Sequence, residues 1–367
     1  MKVGIVTFTF GDNYGQRLQN YAVQELLQRR GADASTIRQS EPRCSLKHQV
    51  KVFLVDSFAG KRGAKRARHS AFLRFDEEHI KYEPNYYLPD FPPRKSDGFD
   101  AFVAGSDQIW SPYIPDSNGA MFLCFAESVK KVSLSASISA PELPVEKKGT
   151  YRERLAAFDF ISVREKNAAR LIKECAGLDA EVLIDPTLML DAAEWDKLAE
   201  APAALLPRRY ALKYFLGSDS PKVAMFDEYC KRAGLEVVDL LGDPRFFACG
   251  PSEFIYLIRN SSLVATDSYH GSIFTLLYRK PLLMFERAGS QFDMSDRFDT
   301  LAEKLGLGNW REANWNYLES GEPKSFDVED KLRIERAKFD SFLNRSLFSK
   351  SRKEIGGFGS LCDKGLA

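Results

Sequence analysis

Val3-Gly4-Ile5-Val6-Thr7-Phe8-Thr9-Phe10, followed by Gly11-Asp12-Asn13-Tyr14-Gly15 and then residues 16–30, sets the fold. The opening run is short and apolar, with the β-branched and aromatic side chains that suit a covered, pleated surface. The five residues after it, two of them glycines, fit only a turn or loop. Beyond them Leu18, Tyr21, Ala22, Leu26 and Leu27 recur at helical spacing, and Gly31 is a natural stop. Strand, glycine-bearing loop and helix in this order make one unit of an α/β layer. Ligands in such layers gather at the loops beyond the carboxyl ends of the strands.

The same grammar recurs outward. Residues 99–104 run into Gly105-Ser106-Asp107-Gln108, residues 160–163 precede a helix opening near Arg164-Glu165, and residues 182–184 precede Asp185-Pro186-Thr187. An Ala/Pro-rich stretch at 202–207 marks a boundary, after which residues 210–217 restart the pattern. A helix near 222–233, a strand at 236–241, a helix near 252–260, a strand at 263–266 and a helix from Gly271 follow. The expected fold class is α/β, with two Rossmann-like domains facing a cleft: an N-terminal domain over 1–200, a C-terminal domain over 208–330, and a helix and tail over 331–367.

Composition sets outer limits. A chain of 367 residues with 44% hydrophobic content can bury more than one core, which excludes a largely disordered protein. Fifty-two Lys+Arg against 51 Asp+Glu leave no global field to drive it onto nucleic acid. The cysteines, Cys44, Cys124, Cys175, Cys230, Cys249 and Cys362, show no metal-like or paired spacing, so we expect a reducing compartment and no structural metal. No secretory leader and no 18-residue apolar run is visible, and the expectation is a cytoplasmic protein. Residues 43–74 mix Lys61, Arg62, Lys65, Arg66 and Arg68 with Phe53, Leu54, Phe58, Phe72 and Leu73. Such a segment suits peripheral contact with an anionic bilayer, or else a solvated helical face.

Chemistry concentrates at a few places. In Thr266-Asp267-Ser268-Tyr269-His270-Gly271 a strand ends and a helix begins. His270 would therefore stand at a helix N-terminus that favours an anion such as phosphate, or serve as a cap or core histidine. Arg164, at the end of an apolar strand, suits a carboxylate or phosphate, while pairing with Glu165 would also satisfy it. Gly105, Ser106, Asp107, Gln108 and Trp110 suit a sugar, or a tight turn held by Asp107; Asn13-Tyr14-Gly15-Gln16 has the same character. Neither a P-loop, nor a G-x-G-x-x-G after the first strand, nor H-E-x-x-H, nor G-x-S-x-G is present, which argues against the corresponding enzyme classes.

Taken in order, Asn13-Tyr14-Gly15 with Leu18-Gln19-Asn20-Tyr21-Ala22, the 99–110 run, Ile161-Ser162-Val163-Arg164-Glu165, Asp185-Pro186-Thr187 and the 266–271 run resemble the polysaccharide pyruvyl transferase family, from residue 1 to about 305. The resemblance implies a GT-B-like fold and transfer of the pyruvyl group of phosphoenolpyruvate to a sugar as a ketal, with release of phosphate. The acceptor would be a sugar of a capsular, exopolysaccharide or cell-wall glycan, free or lipid-linked. The family's conserved Arg and His fall on Arg164 and His270 as catalytic residues. Asn13, Tyr14, Gly15, Gly105, Ser106, Asp107, Gln108, Ser268, Tyr269 and Gly271 become substrate-binding candidates, joined by Lys280 and Arg297 for the donor. Where relatives often carry Ser-Phe-Gly, this chain has Ser135-Ala136-Ser137-Ile138-Ser139. No cofactor, metal or nucleotide is required beyond phosphoenolpyruvate. A nucleotide-sugar glycosyltransferase, or a non-catalytic glycan-binding protein on the same scaffold, remains the alternative.

Overall fold

The computed structural model describes residues 1–39, 62–88, 98–114, 119–217, 221–287, 295–311 and 325–349. The basic run is therefore described only from residue 62 on, and the tail only to 349. In chain order the elements are β1 (Lys2–Val6), α1 (Tyr14–Gln28), β2 (Asp33–Gln39), α2 (Arg62–His79), β3 (Tyr82–Leu88), β4 (Ala101–Asp107), β5 (Lys130–Ala136), α3 (Val145–Leu155), β6 (Ser162–Val163), α4 (Lys166–Ala176) and β7 (Glu181–Val182). A 3-10 turn at Pro186–Met189 leads to α5 (Ala192–Trp195). Then come β8 (Tyr210–Tyr214), α6 (Pro221–Arg232), β9 (Glu236–Asp239), α7 (Pro251–Asn260), β10 (Leu263–Thr266), α8 (Tyr269–Leu277), β11 (Leu282–Met284), α9 (Asp296–Leu305) and α10 (Glu329–Leu343).

Two parallel sheets result, as the α/β expectation requires. The first has the order β3-β2-β1-β4-β5-β6-β7 and the second β11-β10-β8-β9. Helical crossovers cover both faces of the first sheet, so all seven residues of β4 are buried. Chain direction across the first sheet reverses between β1 and β4, and across the second between β8 and β10. These are topological switch points, where the loops splay apart and leave a crevice. The first crevice receives Gly11–Gly15 and Asp107, and the second receives Phe215–Gly217 and Asp267–His270.

The crevices face each other across a packed contact. One apolar cluster joins Val3, Ile5 and Leu18 of the first layer to Leu212, Phe254, Val264 and Phe274 of the second. Tyr14 is its pin: its ring stacks on Phe254 at 4.5 Å and meets Tyr214 edge-on at 5.6 Å. Its hydroxyl donates to the Cys249 carbonyl at 2.8 Å and accepts from Arg68 Nη1 at 2.6 Å. Tyr14, expected to bind substrate, is thus fully buried and joins the lobes instead. Arg68 is corrected in the same way. It is buried, donating also to the Phe247 and Asp12 carbonyls, and cannot face a bilayer; Phe72 beside it is fully buried.

Replacing Tyr14 with Phe keeps the stacking but strands the Cys249 carbonyl and an Arg68 N–H. We expect a loss of about 1–3 kcal/mol in urea unfolding; an unchanged midpoint would show that the hydroxyl holds nothing.

Candidate active site

Local sequence places each group. Thr266 ends β10 with its hydroxyl on the Tyr214 carbonyl (2.6 Å), and it receives the Ser268 N–H (3.0 Å). Ser268 then caps α8, accepting from the Gly271 N–H at 3.2 Å. Gly271 is required because a Cβ there would lie 2.7 Å from Thr266 Oγ1. Asp267 faces the other way and accepts from the Leu216 and Gly217 N–H groups at 2.7 and 2.8 Å, tying down the loop after β8. His270 therefore enters at the second position of α8, with its ring against Gly15 of α1. A Cβ on Gly15 would come within 2.0 Å of His270 Nδ1, so only glycine lets the imidazole lie there.

Asp185, which sequence reasoning quoted only within a motif, is the centre. It is fully buried and caps the 3-10 turn through Oδ1, which accepts from the Thr187 N–H (3.0 Å) and hydroxyl (2.7 Å). Its Oδ2 accepts from Ser106 Oγ at 3.0 Å and Arg164 Nη1 at 2.9 Å, and lies 3.5 Å from His270 Nε2. Burial alone would raise its pKa. His270, Arg164 and the Thr187 N–H outweigh that and hold the carboxyl well below the usual range.

Arg164 is also fully buried, so it is not a solvent-open fork. It lies over the Tyr269 ring at 4.5 Å, with Nη2 3.6 Å from Asp107 Oδ1 and Nε 3.9 Å from Glu165 Oε2. Burial opposes its charge, but Asp185, Tyr269, Asp107 and Glu165 more than offset this and keep it firmly protonated. Arg297, 4% exposed, stands 5.7 Å above the same Tyr269 ring. Burial, then repulsion from Arg164 and Arg287, lowers its pKa to about 9, so it is still a cation at neutral pH. Arg287 Nε is 3.7 Å from Asp267 Oδ2. Sequence reasoning named Glu165 only as a pairing partner of Arg164, and it missed Arg287, which lies outside every quoted motif.

Seven buried side-chain polar atoms among the described residues lack a hydrogen-bond partner. Six of them belong to this cluster: Arg164 Nε and Nη2, Glu165 Oε2, His270 Nε2, Arg287 Nε and Arg297 Nε. Buried polar groups are ordinarily paired, so a concentration of unpaired ones makes this cluster the candidate for a polar-ligand site. The unpaired guanidinium N–H groups suit an anion. Beside them a cleft of about 270 Å³ is lined by Ser139, Glu165, Asn167, Ser295 and Arg297. No three metal-ligating side chains converge among the described residues.

The remaining candidates separate. Ser106 and Asp107 belong to the cluster through Asp185 and Arg164, and Tyr269 lies beneath the two guanidiniums. Gly105 is inside β4, 3.3 Å from Ile5 when given a Cβ. Asn13 is exposed and caps α1, accepting from the Gln16 N–H at 3.3 Å. Gln108 is half-buried just past β4. Lys280 is a correction. It follows the far end of α8, at least about 10 Å along the axis from His270, where burial and Arg259 lower its pKa.

Fold and site together define a two-lobed α/β protein whose facing crevices enclose an anion-ready cluster with an aspartate-histidine pair. The sequence pattern of the polysaccharide pyruvyl transferases matches residues 13–289, and the chain belongs to that family. No curated protein sequence matches it significantly. Among solved structures it is similar to an uncharacterised protein from Klebsiella pneumoniae (12% identity, 84% of this chain and 89% of that one, TM-score 0.46). It is also similar to a UDP-GlcNAc 2-epimerase from Neisseria meningitidis bound to UDP-GlcNAc (13%, 94% and 100%, 0.46). An α-glucosyltransferase in complex with UDP gives 9% identity, 94% and 96% coverage and a TM-score of 0.45.

Asp185→Asn keeps the shape but leaves the Arg164 charge buried without its counter-ion, and should cost about 3–5 kcal/mol at neutral pH. Because folding depresses the Asp185 pKa, its contribution is complete above about pH 4 and is lost as pH falls below that. Urea unfolding at a series of pH values should show the wild type losing more stability than the variant on acidification; parallel curves would remove Asp185 from its central place.

Proposed function

We propose that the protein transfers the pyruvyl group of phosphoenolpyruvate to a sugar of a cell-surface polysaccharide or its precursor, forming a ketal and releasing phosphate. Family membership supports the pyruvyl transferase class. The donor is argued from the convergence of unpaired cationic N–H groups beside His270. Phosphoenolpyruvate carries a carboxylate and a phosphate, so it needs cations at two ends, and Arg297 and Arg287 with the free edge of Arg164 supply them. Arg164 acts from within the protein, binding the anion while fixing Asp185. His270, oriented by Asp185 and by its seat on Gly15, gives a proton to the methylene carbon and takes one from the attacking sugar hydroxyl. Assistance of this kind is worth ~10²–10⁴-fold in rate.

In this reading turnover of phosphoenolpyruvate with an acceptor glycan releases phosphate and adds the mass of a pyruvate ketal to the glycan. His270→Gln should lower kcat by about 10²–10⁴-fold with little change in donor Kd. Turnover only with a nucleotide sugar would overturn the donor, and full activity of the variant would overturn the role of His270.

No helix among the described residues is long and apolar enough to cross a membrane. We extend the proposal to a lipid-linked acceptor met at the inner membrane face, with exposed Lys65 and Arg66 of α2 contributing to the contact. Neutralising both should weaken sedimentation with anionic liposomes, most clearly at low salt; equal binding would leave α2 a solvated face.

A further inference from the structure

We propose that Glu165 is a second proton-transfer group of the reaction, delivering the proton on its Oε2 to the departing phosphate and recovering one from the sugar hydroxyl that closes the ketal. The inference rests on the phosphoenolpyruvate reading above and adds a residue to it.

Geometry fixes which oxygen would carry the proton. Glu165 is 2% exposed, and its Oε1 accepts three hydrogen bonds, from Ser137 Oγ (3.0 Å), the Ile138 N–H (2.9 Å) and the Ser139 N–H (3.2 Å). An oxygen so crowded with donors is an acceptor only, so the proton of a neutral carboxyl must be on Oε2. Oε2 has no hydrogen-bond partner, and Glu165 lines the cleft of about 270 Å³ together with Arg297. A buried carboxyl oxygen without a partner, beside a cluster of unpaired cationic donors, is placed to exchange a proton with an oxygen brought by a ligand. Ser139, at the end of this cradle, has a positive φ of 48°.

The surroundings favour an acid that can be regenerated. Burial raises the Glu165 pKa, against the pull of Arg164 and the three donors. Facing it are Arg164 from its own segment, Tyr269 of α8, Arg297 of α9 and, along the cleft, Asp296 and Asp299. On the other side of Arg164 the second carboxyl, Asp185, is held ionised. Two carboxyls pushed in opposite directions around one guanidinium divide the labour of holding charge and moving a proton.

The step balances. The bond from the ketal carbon to the phosphate oxygen breaks with its electron pair going to that oxygen, which takes the Oε2 proton and departs as hydrogen phosphate. The second sugar hydroxyl adds to the carbon thus freed, and its proton returns to Glu165. The proton of the first hydroxyl replaces the one that His270 gave to the methylene carbon. Both residues end as they began.

Glu165→Gln tests this, because an amide oxygen can still accept from Ser137, Ile138 and Ser139 while no proton can be transferred. With phosphoenolpyruvate and acceptor, kcat should fall about 10²–10⁴-fold, donor Kd should change little, and the high-pH limb contributed by Glu165 should disappear from the kcat profile. Independently of turnover, the infrared difference between wild type and variant at pH 7 should contain one protonated-carboxyl band. Undiminished kcat in the variant, a loss confined to donor affinity, or a missing band overturns the role of Glu165 alone. A wild type that does not turn over phosphoenolpyruvate overturns the donor reading, and this step with it.

Discussion

The oxygen Oδ2 of Asp185 is the point on which the rest of the structure depends. It takes Arg164 at 2.9 Å and Ser106 at 3.0 Å from the first layer and meets His270 of the second at 3.5 Å. A fully buried carboxylate is tolerable only when opposite charge and hydrogen bonds surround it, and a buried arginine has the same need. The loops after β4, β6, β7 and β10 must therefore end in register with one another. Three of them leave one parallel sheet at the same edge and the fourth enters from the other sheet, which is how a parallel architecture brings distant sequence to one atom.

That constraint leaves several polar atoms of the site without a hydrogen-bond partner. Asp185 uses one edge of Arg164, Asp107 and Glu165 stand farther off at 3.6 and 3.9 Å, and at Arg297 burial and repulsion from Arg164 and Arg287 outweigh the pull of Asp107 and Glu165. The protein thus keeps buried guanidinium N–H groups whose charge is balanced nearby but whose hydrogen-bonding capacity is not used. Unpaired buried donors of this kind cost stability, and any ligand that accepted from them would recover part of that cost.

Much of this was legible in the sequence. The β1-loop-α1 unit, the 263–271 junction and the α/β class follow from periodicity and glycine placement, since a covered parallel strand is apolar on both faces and a helix start has few chemical solutions. The position of His270 followed from the same junction. The unread parts share a cause. β5 carries Ser133 and Ser135 at fully buried positions, so its polarity hides a central strand. Those hydroxyls are satisfied by the Ser162 and Ile184 carbonyls of neighbouring segments, which no local window contains. Ser137, Ile138 and Ser139 together make the cradle of Glu165, a role that becomes visible only once β5 and β6 pair. Lys280 was misplaced for the opposite reason: adjacency in sequence to a helix start says nothing about a residue a full helix away.

Tyr14 and Gly15 show how neighbouring residues in one motif divide between stability and chemistry. Tyr14 points into the contact between the layers and fixes their separation through Phe254, Tyr214 and Arg68. Gly15, one residue on, presents bare backbone to His270, and any side chain would displace the ring. The imidazole is thus positioned by α1 of the first layer although it is carried by α8 of the second. Neither layer alone could hold it against Asp185. The cluster exists because the lobes are packed, and the packing is anchored by a buried tyrosine within one residue of the ring it helps to place.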